Sequence, residues 1–316
     1  MKTPRPGQGR DGTQPSRVDA ALGSTLPAWA ASDAFPFGTL LSLLTGRPSD
    51  AEVLETAAAM APVGARWQAI LPVPMPERVA CQWGEAPDHA LAVDHAVRRE
   101  DATTHLATMR RKVQGMVANA GCDVGESPAR TLPDSLLGVA RRARLVVMAA
   151  PCVVPPEAPS TASWFSRILM QSGRPSLVLP PGARLRAAPS RALVCWSAAP
   201  QATRALHDAM HALPPQCHFH LVSVVGSSGA RADAVSAASL APAAVHVRRH
   251  GRDADVELVD SQGGPPEETL LRIATEIAAD IIVMGAYGHP RYVEFVFGGT
   301  TQALLQRSRT ALFMAH

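Results

Sequence analysis

Two stretches of this chain share one pattern: ARLVVMAAP at 143–151 and ADIIVMGAY at 279–287. Each is a near-continuous apolar run, the mark of a strand buried on both faces of a parallel sheet. Each is followed by a helix-like segment and a second apolar run. Met148 precedes Leu177 by 29 positions and Met284 precedes Leu312 by 28. The same strand–helix–strand unit therefore closes both halves. Strands alternating with helices dictate a parallel sheet with helices on both faces. A repeat of roughly 140–150 positions is far too long for a solenoid, and 316 residues suffice for two ordinary domains. The expected fold class is α/β: two separate doubly wound, mainly parallel-sheet domains produced by tandem duplication.

Residues 1–35, rich in Pro, Gly and Ser, read as a disordered tail without the apolar centre of a signal peptide. The first domain spans 36–182, with strands at FGTLLSLLT, GARWQAILPV, CDVGESPA, RLVVMAA and PSLVLPPG. Its helices are PSDAEVLETAAAMAP, residues 90–119, LPDSLLGVARRA and ASWFSRILMQSG, with a Pro-rich connector ahead of the second. Residues 183–189 read as a linker. The second domain, 190–316, repeats the order. The one irregular place is a short helix expected somewhere between a flexible GSSGARADA and Gly251.

Composition narrows the chemistry. A formal charge of +3, with basic residues spread along the chain, gives no nucleic-acid footprint. Five cysteines without a CxxC pair argue against zinc or a disulfide framework and read as buried free thiols of a reducing compartment. No apolar run is long enough to span a bilayer. The expectation is a soluble cytoplasmic protein with no membrane or nucleic-acid partner.

The chemistry-bearing motif is GAYGHPRYVEFVFGGTT at 285–301. Gly285 and Gly288 follow a strand, at the end of a doubly wound sheet where ligands bind. Without a Cβ, their backbone can approach an anion closely. Gly298 and Gly299 precede a helix whose unpaired amides and dipole favour negative charge. Thr300 and Thr301 add a hydroxyl or a cap. The parts together form a phosphate cradle, yet neither GxxxxGK[ST] nor GxGxxG is present.

The G-x2-G-x9-G spacing, after a fourth parallel strand and before the last helix and strand, resembles the universal stress protein family. The resemblance is specific from about Ser190 to His316 and architectural before that. It implies an adenine-nucleotide alpha hydrolase-like fold and an adenine-nucleotide site, ATP-like and with Mg²⁺. Gly285, Gly288 and Gly298 would contact phosphates. Where the family usually has Ser or Thr next, this chain has Gly299 and then Thr300. Where nucleotide-binding members usually have an acidic residue ending the first strand, it offers Ser197. It also implies pairing of the last strands, either within the chain, PSLVLP against TALFMA, or across a homodimer.

The first half departs from this pattern. Ala149 and Cys152 stand at the matches of Gly285 and Gly288, Pro155, Pro156 and Pro159 occupy the loop, and Trp164 falls near the match of Thr300. Proline lacks an amide donor and Trp is bulky, so no nucleotide is expected there. Elsewhere, His289 and Arg291 read as solvated loop residues, and Trp196 as a core or domain-contact residue. His207 and His211, one helical turn apart, could ligate a metal, but an exposed helix face is the simpler reading. His218 and His220 share one face of a strand, and the ARRAR run reads as a solvated helix end.

The functional expectation is a stress-response regulator or sensor that binds an adenine nucleotide in its second domain. The alternatives are a ligand-free interaction protein of the same fold and a slow ATPase. Phosphoryl transfer needs positioned charge; residues 190–316 hold no lysine, and Glu294 is the loop's one carboxylate. Catalysis is therefore not expected.

Overall fold

The structure is a computed structural model, described here for residues 38–62, 64–75, 79–81, 84–86, 89–113, 120–151, 161–226, 230–286 and 299–316. The first half runs β1 (Thr39–Leu43), α1 (Asp50–Met60), β2 (Trp67–Met75), β3 (Val79–Cys81), β4 (Gly84–Ala86), α2 (His89–Val113) and β5 (Ala120–Pro128). It closes with α3 (Leu132–Ala140), β6 (Ala143–Ala149), α4 (Thr161–Gln171) and β7 (Ser176–Leu179). The second half runs β8 (Arg191–Cys195), α5 (Pro200–Ala212), β9 (His218–Val225), α6 (Ala230–Arg249) and β10 (Ala254–Asp260). It closes with α7 (Pro266–Glu276), β11 (Ile281–Gly285), α8 (Gly299–Arg307) and β12 (Ala311–Ala315).

Ten strands form one sheet in the order β10-β9-β8-β11-β12-β7-β6-β1-β2-β5. Outward from the junction, each half has the same internal order, with its first strand beside its fourth. Pairing is parallel within each half. The chain therefore reverses its direction of winding twice, between β1 and β6 and between β8 and β11. These are the two places where a doubly wound sheet opens a crevice.

The halves meet through β7 and β12, which pair antiparallel: Val178 faces Leu312, Leu177 faces Phe313 and Ser176 faces Met314. The two units are thus fused edge to edge rather than separate. Residues of β7 and β12 alternate between the faces. Leu177 and Phe313 enter the core under α1, α2, α5 and α6, while Val178, Leu312 and Met314 enter the core under α3, α4, α7 and α8. Both cores run unbroken across the junction. The antiparallel pairing also points the strands of one half against those of the other, so the two crevices open at opposite ends of the sheet. Two arginines reinforce the contact: Arg144 donates to the His211 carbonyl at 3.0 Å and Arg204 to the Gly173 carbonyl at 3.1 Å.

The 183–189 connection is docked rather than free. Ala183 and Leu185 are buried, and the Leu185 amide donates to Thr56 Oγ1 on α1 at 3.0 Å. Asp50, fully buried at the start of α1, fixes the β1–α1 turn. It accepts from the Thr45 amide and hydroxyl at 2.8 and 2.9 Å and from the Gly46 amide at 2.8 Å, and it pairs with His105 at 3.0 Å.

Two elements differ from expectation. The Pro-rich connector before α2 contains the β3–β4 hairpin. The short helix expected before Gly251 is instead a 20-residue helix, α6, which starts inside the segment read as flexible. Alanine, the best helix former, fills much of it. Leu240, Ala243, Ala244 and Val247 recur at helical spacing and bury against β9 and β10, which carries the helix past Pro242. Among the described residues no helix is long and apolar enough to cross a membrane.

The junction yields the first prediction. Phe313 is fully buried opposite Leu177, so Phe313→Ala should lower stability by about 3–5 kcal/mol, read from the urea midpoint. A loss below about 1 kcal/mol, the scale of an exposed site, would show that the junction is not part of the core.

Candidate functional site

The crevice between β8 and β11 is built by three chain segments. The first leaves β8, whose Ala192, Leu193 and Val194 are buried in the sheet. Beyond it the Trp196 amide donates to the Val222 carbonyl at 2.7 Å, and the indole Nε1 donates to Ser239 on α6 at 3.0 Å. The Ala198 amide donates to Ser236 on α6 at 3.2 Å. The turn is pinned on both sides of Ser197, whose own side chain is exposed. Trp196 is part of the packing under α6, as its sequence context implied.

The second segment is the start of α5. Pro200 sits at its first position, where a missing amide is harmless and φ is preset. This turn lies directly on Gly285. A Cβ at 285 would stand 2.6 Å from the Ala202 amide nitrogen and 2.7 Å from the Gln201 carbonyl carbon. Glycine is therefore required at 285 so that α5 can seat on β11. The crevice floor depends on that close approach. The chain then continues to Ala286, whose amide donates to the Ala315 carbonyl at 2.8 Å and whose carbonyl is 3.0 Å from Nδ1 of His316.

The third segment is the start of α8. Among the described residues, a Cβ on Gly299 would meet nothing within 4 Å. The first amides of an α-helix have no intrahelical acceptor. Thr301 is buried, while the Thr300 hydroxyl donates to Glu267 Oε2 on α7 at 3.4 Å. The neighbouring Glu268 pairs with Arg307 at 3.3 Å. Thus α7 holds α8 through two adjacent carboxylates, one of them beside the positive end of the α8 dipole.

Of the residues singled out in the sequence, Ser197, Gly285, Gly299 and Thr300 gather at this end of the sheet. Gly288, Gly298, His289, Arg291 and Glu294 lie outside the described residues. Glu267 was missed as a site residue, because its sequence context assigns it only to the first turn of its own helix. Nothing in the sequence links it to a threonine 33 positions away.

Burial pushes the thiol of Cys195, at the end of β8, up to about 12, and that of Cys217, at the other end of the sheet, up to about 11. Among the described residues, no group of three or more His, Cys, Asp or Glu stands ready to hold a metal ion.

The matching crevice of the first half is shaped differently. Between β1 and β6, Thr45, Arg47 and Ala149 line a shallow hollow walled by Trp164 and Phe165 of α4. Trp164 is buried at the position matched to the α8 start. Cys152, Pro155, Pro156 and Pro159 lie outside the described residues.

The two glycines should respond in opposite directions. Gly285→Ala forces backbone apart and should destabilise by about 1–3 kcal/mol. Gly299→Ala fits without contact and should be neutral or stabilising by up to about 1 kcal/mol. Thermal or urea unfolding of the two variants reads the difference. Equal losses would contradict the packing described for Gly285.

Residues 190–316 match the model of the Universal stress protein family. No curated protein matches the chain. Among solved structures, a universal stress protein from Archaeoglobus fulgidus DSM 4304 superimposes with a TM-score of 0.63 at 16% identity, covering 89% of this chain and 97% of that one. A universal stress protein family member from Burkholderia pseudomallei covers 40% of this chain and 94% of its own, at 25% identity and a TM-score of 0.30. A universal stress protein solved in complex with cAMP covers 41% and 99%, at 20% identity and a TM-score of 0.33. The first of these structures extends the likeness in fold to both halves, while the match to the family model covers residues 190–316.

Proposed function

We propose that the second unit, residues 190–316, binds an adenine nucleotide such as ATP at the β8–β11 crevice, and that the chain acts as a stress-response regulator or sensor. The observation that carries this reading is the start of α8, set at the switch point of the sheet, where among the described residues nothing stands within 4 Å of where a Cβ on Gly299 would be. Phosphate oxygens would be received there by the amides of Gly299 and Thr300, with Gly288 and Gly298 as further phosphate contacts by resemblance to the family and Ser197 in place of its acidic residue. Gly285 serves the same site by letting α5 close its floor. Glu267 and the Thr300 hydroxyl offer hard oxygen atoms suited to a Mg²⁺ ion accompanying the phosphates. The first unit, 36–182, supports the second without binding nucleotide, since the bulky Trp164 and Phe165 wall the corresponding hollow. The free, buried thiols of Cys122 and Cys217 fit a cytoplasmic setting.

A second reading, a ligand-free interaction protein, draws on three features. The glycine at 285 is explained by packing, the Thr300 hydroxyl is engaged by Glu267, and the acid expected after the first strand is Ser197.

Equilibrium dialysis with ATP separates the two. Under the first reading the chain binds ATP below millimolar concentration. The Glu267 carboxylate opposes a bare polyphosphate near the α8 start, so with EDTA present Glu267→Gln should bind about two- to fivefold more tightly, the scale of one charge at a helix end. Absence of binding at millimolar ATP, with or without Mg²⁺, in folded protein would leave the interaction reading.

A further inference from the structure

The β8 side of the crevice is held by α6. This helix leaves the carboxyl end of β9 and runs back along the sheet, packed on β9 and β10. Its earliest turns therefore lie furthest toward the end of the sheet where ligands bind. Ser236 accepts from the Ala198 amide at 3.2 Å, just past the exposed Ser197. Asp233 comes three positions earlier, on the same face of the helix. It stands about 4.5 Å further toward the ligand end, three residues of helical rise. Its Oδ2 accepts from the Gly226 amide at 2.7 Å, at the end of β9. That bond braces the turn between β9 and α6 and holds the carboxylate beside the Ser197 turn. It uses one oxygen. Among the described residues nothing pairs with Oδ1, and the side chain is half-buried. The other acid at this corner, Asp260, is committed, since its Oδ1 accepts from the Gln262 amide at 2.7 Å.

We propose that the unpaired Oδ1 of Asp233 accepts the ribose hydroxyls of the bound nucleotide and makes the crevice selective for ribonucleotides. This rests on the nucleotide reading of the β8–β11 crevice and adds the group that reads the sugar. The spacing suits the role. β9 lies two strands from β11, about 10 Å across the sheet. A nucleotide with its phosphates at the start of α8 spans that distance with its sugar and base. The chemistry suits it too. An ionised carboxylate only accepts hydrogen bonds, and a vicinal diol offers two O–H donors. In dinucleotide-binding doubly wound sheets an acidic side chain takes the ribose 2′-hydroxyl in this way. Ser197 carries no charge, and Asp233 supplies one from the neighbouring helix. The sequence hid this role, because GSSGARADA reads as a flexible segment and not as the start of a 20-residue helix.

Equilibrium dialysis of the full chain with ATP and with 2′,3′-dideoxy-ATP, both with Mg²⁺, tests it. The parent should bind ATP about tenfold more tightly than the dideoxy analogue, the scale of a hydrogen bond to a charged group. Asp233→Ala should bring that ratio close to one. Asp233→Asn keeps an acceptor for the Gly226 amide, so the turn stays braced, and its ratio should fall at least threefold. The ratio is read within each protein, so a general loss of affinity leaves it unmoved. ATP bound by the parent with a ratio near one, or a ratio unchanged in both variants, overturns the role of Asp233 and leaves the crevice reading standing. No ATP binding to the folded parent removes both.

Discussion

The antiparallel pairing of β7 with β12 is the contact on which the rest of this molecule depends. A fifth strand at the edge of a half-sheet would present unpaired backbone groups and apolar side chains on both faces, a combination prone to aggregation. Here each fifth strand covers the other. Leu177 and Phe313 join one core while Val178, Leu312 and Met314 join the opposite one, so a three-pair register welds two sheets into a single ten-stranded body. The docked linker, with Leu185 buried and bonded to Thr56, and the arginine–carbonyl bonds across the boundary all follow the same seam.

From that common scaffold the two crevices diverge. In the second half, Gly285 allows α5 to lie on the sheet, and among the described residues nothing stands within 4 Å of where a Cβ on Gly299 would be. In the first half, Trp164 and Phe165 wall the corresponding hollow, and the buried Asp50 draws the β1–α1 turn inward through Thr45, Gly46 and His105. The electrostatics of the open crevice are divided. The α8 dipole favours negative charge, while Glu267 opposes it and can hold a cation. For the nucleotide site we propose, this division would favour a cation-complexed phosphate over a bare one.

Much of this was legible in the residues. The apolar runs around Met148 and Met284 marked buried strands, and their near-equal distances to Leu177 and Leu312 announced the matching strand order of the two halves. Proline and glycine punctuation marked most helix ends, as Pro62 does for α1. What escaped were relations between distant positions. The Glu267–Thr300 bond joins two helices, and the cause of Gly285 lies in the first turn of α5, more than eighty positions earlier. The length of α6 escaped because Gly229 and Pro242 advertise breaks, whereas burial of Leu240, Ala243, Ala244 and Val247 overrides them. Tertiary packing decides such cases over local propensity.

Joining the two units in one polypeptide has an evolutionary corollary. A symmetric pair of identical subunits repeats every substitution on both sides of its contact, so neither copy can change alone. Within a single chain the partners are encoded separately. One half can then carry tryptophan and prolines where the other carries glycines, and association survives any dilution because the tether never lets go.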